Sequence, residues 1–160
     1  MKAATVKELK QELTSRIPED LVNLCLRLSK FKKENKELLT YLLYESSNES
    51  AYIESVKREI NQEFEQINKS SYFYIKKSVR KILRYTKKYI RYSGKKETEV
   101  ELLIYFCSEL KNVLPLYEKL TPLQNLFYRQ IEMIKKAIST LHEDLQYDYQ
   151  LELEELSVLD

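Results

Sequence analysis

SSYFYIKKSVRKILRYTKKYIRYSGKK, residues 70–96, reads as a helix with two unlike faces. At about 100° per residue, Tyr72, Ile75, Val79, Ile82, Leu83, Thr86 and Ile90 share an arc about 100° wide, the apolar stripe of a packed helix. Opposite it, Lys76, Arg80, Arg84, Lys87 and Arg91 follow at spacings of 4, 4, 3 and 4, with Lys77, Lys81 and Lys88 beside them. One face packs and the other is a strip of cations. Tyr74, Tyr85 and Tyr92 fall along one border, where a ring can bury its body and keep its hydroxyl wet. Ser70 or Ser71 supplies an N-cap, and Gly94, the only glycine, stands where a left-handed cap ends a helix.

With one glycine and three prolines, the chain has little from which to build tight hairpins or glycine-rich phosphate loops. Lys, Glu and Leu recur at the helical period instead, so the expectation is an all-α fold. We read about seven helices in a single-domain antiparallel bundle or short α-α superhelix over residues 1–149, followed by an acidic tail over 150–160. At 160 residues, one such domain can bury a core that holds without staples.

Outward from the basic helix the stripes continue in both directions. Thr5 and Glu8 form a capping box before Leu9 and Leu13. Pro18 opens a second helix with Leu21, Leu24, Cys25, Leu28 and Phe31 inward, and Leu38, Leu39, Leu42 and Leu43 mark a third that stops at Ser46-Ser47-Asn48. Tyr52, Ile53, Val56, Ile60, Phe64 and Ile67 give a fourth over residues 50–68. Beyond Gly94, Thr98 and Glu101 suggest a second capping box. Val100, Leu103, Ile104, Cys107, Leu110 and Leu114 then point inward as far as Pro115. Thr121-Pro122 opens a long last helix with Leu123, Phe127, Ile134, Ile138, Leu141 and Leu145 inward, ending near Tyr149 where the register fails.

The chemistry available to these helices is narrow. Cys25 and Cys107 each lie on an apolar stripe, which predicts buried reduced thiols. His142 is the only histidine, so a His pair is excluded, and His142-Glu143-Asp144 lacks the second His of a metalloprotease helix. The carboxylates Glu152, Glu154 and Glu155 sit in the acidic run with nothing to desolvate them. We therefore expect no catalytic, metal or cofactor residues: a non-enzyme. The first dozen residues carry charges too closely spaced for a signal peptide, and no apolar run approaches a membrane span, which predicts a cytoplasmic protein. Most of the thirteen tyrosines, such as Tyr41, Tyr52 and Tyr105, fall at or near core-facing positions, where a large ring fills volume.

Charge is distributed unevenly despite a formal net of +2. Residues 1–65 hold 11 basic and 12 acidic groups, residues 66–96 hold 11 and none, and residues 97–160 hold 5 and 13. The bland reading of the strip is a solvated face, or one covered by the chain's own acidic residues 143–160. The functional reading is a protein–protein interaction or scaffolding module in which Lys76, Lys77, Arg80, Lys81, Arg84, Lys87, Lys88 and Arg91, with Tyr74, Tyr85 and Tyr92, dock an acidic protein. The alternative is sequence-tolerant nucleic-acid binding, with the cations following phosphates and the tyrosines stacking on bases. A near-neutral chain argues against that alternative, because dedicated nucleic-acid domains are usually far more basic.

From VRKILRYTKKYIRYSGKKETEVELLIYFCSELK on to LHEDLQYDYQLELEEL, the chain resembles a family of small all-helical bacterial proteins with no known activity. The resemblance implies a helical cytoplasmic protein and brings no ligand or site.

Overall fold

The computed structural model describes residues 1–113 and 121–157, and every regular element among them is helical. Eight α-helices follow in order: α1 (Val6–Thr14), α2 (Pro18–Phe31), α3 (Lys33–Thr40), α4 (Glu49–Glu65), α5 (Tyr72–Ser93), α6 (Lys96–Val113), α7 (Thr121–Ile138) and α8 (Glu143–Ser157). A π-helical turn, Tyr41–Glu45, precedes α4. The chain forms two compact units, Met1–Tyr44 and Glu45–Asp160.

In the first unit the predicted caps are present. Thr5 Oγ1 accepts the Glu8 N–H at 3.3 Å, and Glu8 Oε2 accepts the Thr5 N–H at 2.7 Å. Those hydrogen bonds hold the Glu8 carboxyl below its ordinary value. Pro18 begins α2, and extended backbone at Lys32 ends it before α3 turns away, with Asn35 Nδ2 donating to the Leu28 carbonyl at 2.9 Å. The expected core is absent here. No residue of α1, α2 or α3 is buried, and Cys25 is exposed, contrary to the buried thiol predicted from its stripe. Leu24 and Leu28 instead line an open groove with Leu9, Leu13 and Phe31, because helices of 9, 14 and 8 residues are too short to surround one another.

The second unit is built on α6. Thr98, Val100, Leu102, Leu103, Phe106, Cys107, Leu110 and Val113 are all buried, an arc of about 200° at about 100° per residue. That arc is far wider than the predicted stripe, which missed Leu102 and Phe106, because α4, α5, α7 and α8 all pack on this helix. Phe106 is fully enclosed, with its ring centroid 5.6 Å from that of Phe64 on α4. Burying one such ring contributes about 1.5–3 kcal/mol.

Caps and polar ties fix how the neighbours lie. Asn48 Oδ1 accepts the Ala51 N–H at 3.2 Å to start α4, and Ser71 Oγ accepts the Tyr74 N–H at 3.4 Å to start α5. Gly94 ends α5 in the left-handed region at φ 69°, and a Cβ there would meet nothing within 4 Å, so the need for glycine is conformational. The expected capping box at Thr98 does not form. Helix α6 starts two residues earlier, at Lys96, and the Thr98 hydroxyl donates to Glu49 Oε1 at 2.6 Å. Glu49 also accepts from Ser93 Oγ and, at 2.9 Å, from Lys95 Nζ, so one carboxylate in the first turn of α4 holds both sides of the α5–α6 turn.

The predicted long last helix is two helices. Ser139 Oγ and Thr140 Oγ1 donate to the carbonyls of Lys136 and Ala137, and Leu141 N–H turns to Ile138 O at 2.9 Å, a tightening that ends α7. The phase resets in α8. Tyr149, Leu153 and Leu156 then share the inner face, so residues 150–157 belong to a packed helix. Tyr149 OH reaches Glu101 at 3.2 Å and Glu97 at 3.3 Å on α6, while Lys57 Nζ bridges Glu54 and Glu101 at 3.1 and 3.0 Å. Burial alone would lower the Lys57 ammonium, but its bonds to Glu101 and Glu54 outweigh that and raise it. The predicted stops at Leu114 and Pro115 lie outside the described residues.

Two outcomes follow for stability. Glu49→Ala strands the buried Thr98 hydroxyl and should cost about 2 kcal/mol in urea unfolding with an unchanged m-value, while Glu49→Gln, which keeps an acceptor, should lose less. Burial, then Glu101 and Glu97, push the Tyr149 phenol well above its ordinary value. A phenol raised on folding stabilises below its unfolded value near about pH 10, and that contribution is lost as pH rises above it. The urea midpoint should therefore fall more steeply above that pH in the wild type than in Tyr149→Phe.

Candidate functional site

The apolar face of α5, with Ile75, Val79, Ile82, Leu83 and Thr86 buried, sets the orientation of its cationic face. The helix therefore presents its predicted residues as one strip, but not as one uniform surface. Lys77, Arg80, Lys81, Arg84, Arg91 and Tyr74 are exposed, and Lys76, Lys87, Lys88, Tyr85 and Tyr92 are half-buried.

Along the tyrosine border the cations already have partners. Lys81 Nζ lies 3.1 Å from Glu63 on α4. Lys88 Nζ stands 5.3, 5.0 and 5.9 Å from the ring centres of Tyr85, Tyr89 and Tyr92, and Tyr85 also takes Lys81 at 5.3 Å and Arg84 at 5.9 Å. Tyr89 OH donates to Glu59 at 2.6 Å. This edge is thus a mixed border of rings, ammonium groups and α4 carboxylates. Tyr74 leans edge-on against Phe73, 5.6 Å between centres, at the far end of the helix.

The opposite border is different in kind. Arg80 and Lys87 face α7 across a shallow groove, where Arg129, Asn125, Gln130 and Met133 join the apolar Leu83, Pro122 and Leu126 in the lining. Among the described residues no carboxylate lies within 4 Å of Arg80, Lys87 or Arg129. Lys87 Nζ instead donates weakly to Met133 Sδ at 3.4 Å. Burial pushes its ammonium below the ordinary lysine value, with only a partial opposing pull from Glu99. Gln130 is buried, with its amide N–H on the Leu126 carbonyl at 3.2 Å and its Oε1 unpaired. Chemically the groove is a cationic recess, suited to an anionic group.

The sequence reading of α5 missed Arg129, Asn125 and Gln130. They are contributed by a helix that begins 28 residues after α5 ends, counting Ser93 to Thr121, and nothing in α7's own period marks them. The acidic residues of α8 do not cover the strip: among the described residues, no α8 carboxylate comes within 4 Å of a strip cation. His142 is exposed and lies 3.6 Å from Asp144. Among the described residues no three His, Cys, Asp or Glu side chains are grouped to hold a metal, and no helix is long and apolar enough to cross a membrane.

No family model, no curated protein and no solved structure matches this chain.

A desolvated ammonium without a carboxylate penalises the fold at neutral pH. Lys87→Met should therefore stabilise the protein in urea unfolding, and the advantage should shrink as pH rises through the unfolded lysine value near about 10.4.

Proposed function

We propose that the chain is a non-catalytic interaction module whose basic surface, running from α5 across the groove to α7, captures an acidic segment of a partner protein. The observation that carries this reading is the meeting of Arg80, Lys87 and Arg129 from two helices in one groove with no carboxylate within 4 Å among the described residues. A half-buried cation such as Lys87 interacts more strongly with an anion than a fully solvated one does. Guanidinium groups add paired donors that match carboxylate geometry.

An acidic protein suits this surface better than a nucleic acid does. A phosphate backbone tracking the strip would run beside Glu59 and Glu63 on the tyrosine edge. Tyr85 and Tyr92, the rings a base would stack on, are half-buried and engaged with Lys88. Among the described residues, the cations with no carboxylate within 4 Å lead off α5 toward Arg129, which favours a short acidic segment over a long strand. The contacts support an antiparallel bundle around α6 as the rigid support: Glu49 meets Ser93, Tyr52 meets Tyr89, and Glu63 meets Lys81, so early α4 lies on late α5.

The test is fluorescence anisotropy with a labelled oligo-glutamate peptide and a labelled single-stranded RNA of equal charge. The peptide should bind more tightly, and combined reversal at Arg80, Arg84 and Arg129 to Glu should weaken it at least about tenfold, or about 1.4 kcal/mol. RNA binding that exceeds the peptide's and falls with salt at a log-log slope of about −3 to −5 would replace this reading with the nucleic-acid one.

A further inference from the structure

The amino-terminal unit carries a second surface, independent of the basic groove. Leu24 at 43% exposure, Leu28 at 61% and Phe31 at 76% share one face of α2, with Leu9 at 50% and Leu13 at 44% on α1. Isolated exposed leucines are ordinary, but a contiguous patch of them lining a groove is not. A helical unit of this size, Met1–Tyr44, lies near the limit of about 40 residues below which a fold usually needs staples or a partner.

We propose that this face is where a second copy of the chain docks, with the two α2 helices paired antiparallel about a two-fold axis. The charge order along α2 selects both the occupant and its direction. Glu19 and Asp20 stand at its start, and Arg27 and Lys30 stand at its end, followed by Lys32 and Lys33. Antiparallel pairing with an identical helix sets acid against base at both ends, because the two-fold axis repeats every contact. Parallel pairing sets acid on acid and base on base, and aligns the helix dipoles unfavourably as well. A membrane surface fits poorly: the groove's charged lining mixes Glu12 and Asp20 with Arg16, Arg27 and Lys30, whereas helices that lie on anionic lipid carry mainly Lys and Arg. Cys25 lies at the middle of α2, so the axis passes close to it in both copies.

The experiment is sedimentation velocity on the full chain from about 1 to about 100 µM, the range in which modest interfaces populate, joined to cross-linking with a short bismaleimide. A concentration-dependent dimer should appear, and cross-linking should yield a covalent dimer through Cys25. The other thiol, Cys107, is fully enclosed and cannot contribute while the second unit is folded. Cys25→Ser should abolish the cross-link. Glu19→Lys with Asp20→Lys, and separately Arg27→Glu with Lys30→Glu, should each shift the protein to monomer, and an equimolar mixture of the two should restore the dimer. All four positions are exposed, and helical circular dichroism equal to the wild type's shows that each variant keeps its helices, with a protected Cys107 reporting on the second unit alone. A monomer at the highest concentration would overturn the proposal. So would a dimer that survives Leu24→Glu with Leu28→Glu, or charge variants that each remain dimeric alone.

Discussion

The burial of α6 on about 200° of its circumference is the constraint that the second unit obeys. A helix enclosed that far needs neighbours on several sides, and α4, α5, α7 and α8 supply them. Each neighbour then needs only one apolar stripe, which is what their sequences carry. The outward face of α5 is free for charge because its inward face is fully occupied by Ile75, Val79, Ile82, Leu83 and Thr86. The charged surface is therefore a by-product of geometry at the core: α5 cannot rotate its cations inward without losing that stripe.

Polar ties refine what apolar packing leaves loose. Glu49 gathers Ser93, Lys95 and Thr98, and Glu101 is shared between Lys57 and Tyr149. Both carboxylates are on or against α6, and both link helices that are far apart in sequence. Non-directional burial brings the helices together, whereas these bonds act at defined atoms and so set axial position. The same contrast separates the two units: the first has caps and local bonds but no enclosed side chain in its helices.

Much of this was legible in the sequence, for reasons that vary with the residue. Thr5 with Glu8, Pro18, Ser71 and Gly94 mark helix ends because each satisfies a local backbone need, and local needs do not depend on the fold. The split between α7 and α8 was not legible, because Ser139 and Thr140 end the helix by bonding carbonyls with ordinary hydroxyls rather than through glycine or proline. Cys25 was misplaced because periodicity states that a face is apolar and is silent on what covers it. At the candidate site the cations of α5 were readable from their spacing. Their division into a paired edge at Glu63 and an edge at Arg129 with no carboxylate within 4 Å among the described residues depends on tertiary neighbours, which no single helix encodes.

The separation of charge between α5 and α8 has a kinetic consequence. Residues 66–96 hold eleven cations and no acid, while residues 143–160 hold seven acids and no Lys or Arg. Since no described α8 carboxylate comes within 4 Å of the strip, the opposite charges do not cancel as contact pairs. The second unit thus has an uneven charge distribution, with cations on α5 and acids on α8 that do not pair with each other. In the field of an anion such a unit feels a torque, and the torque turns its cationic side forward. Orientation is then partly settled at a distance, to a degree that falls as ionic strength rises.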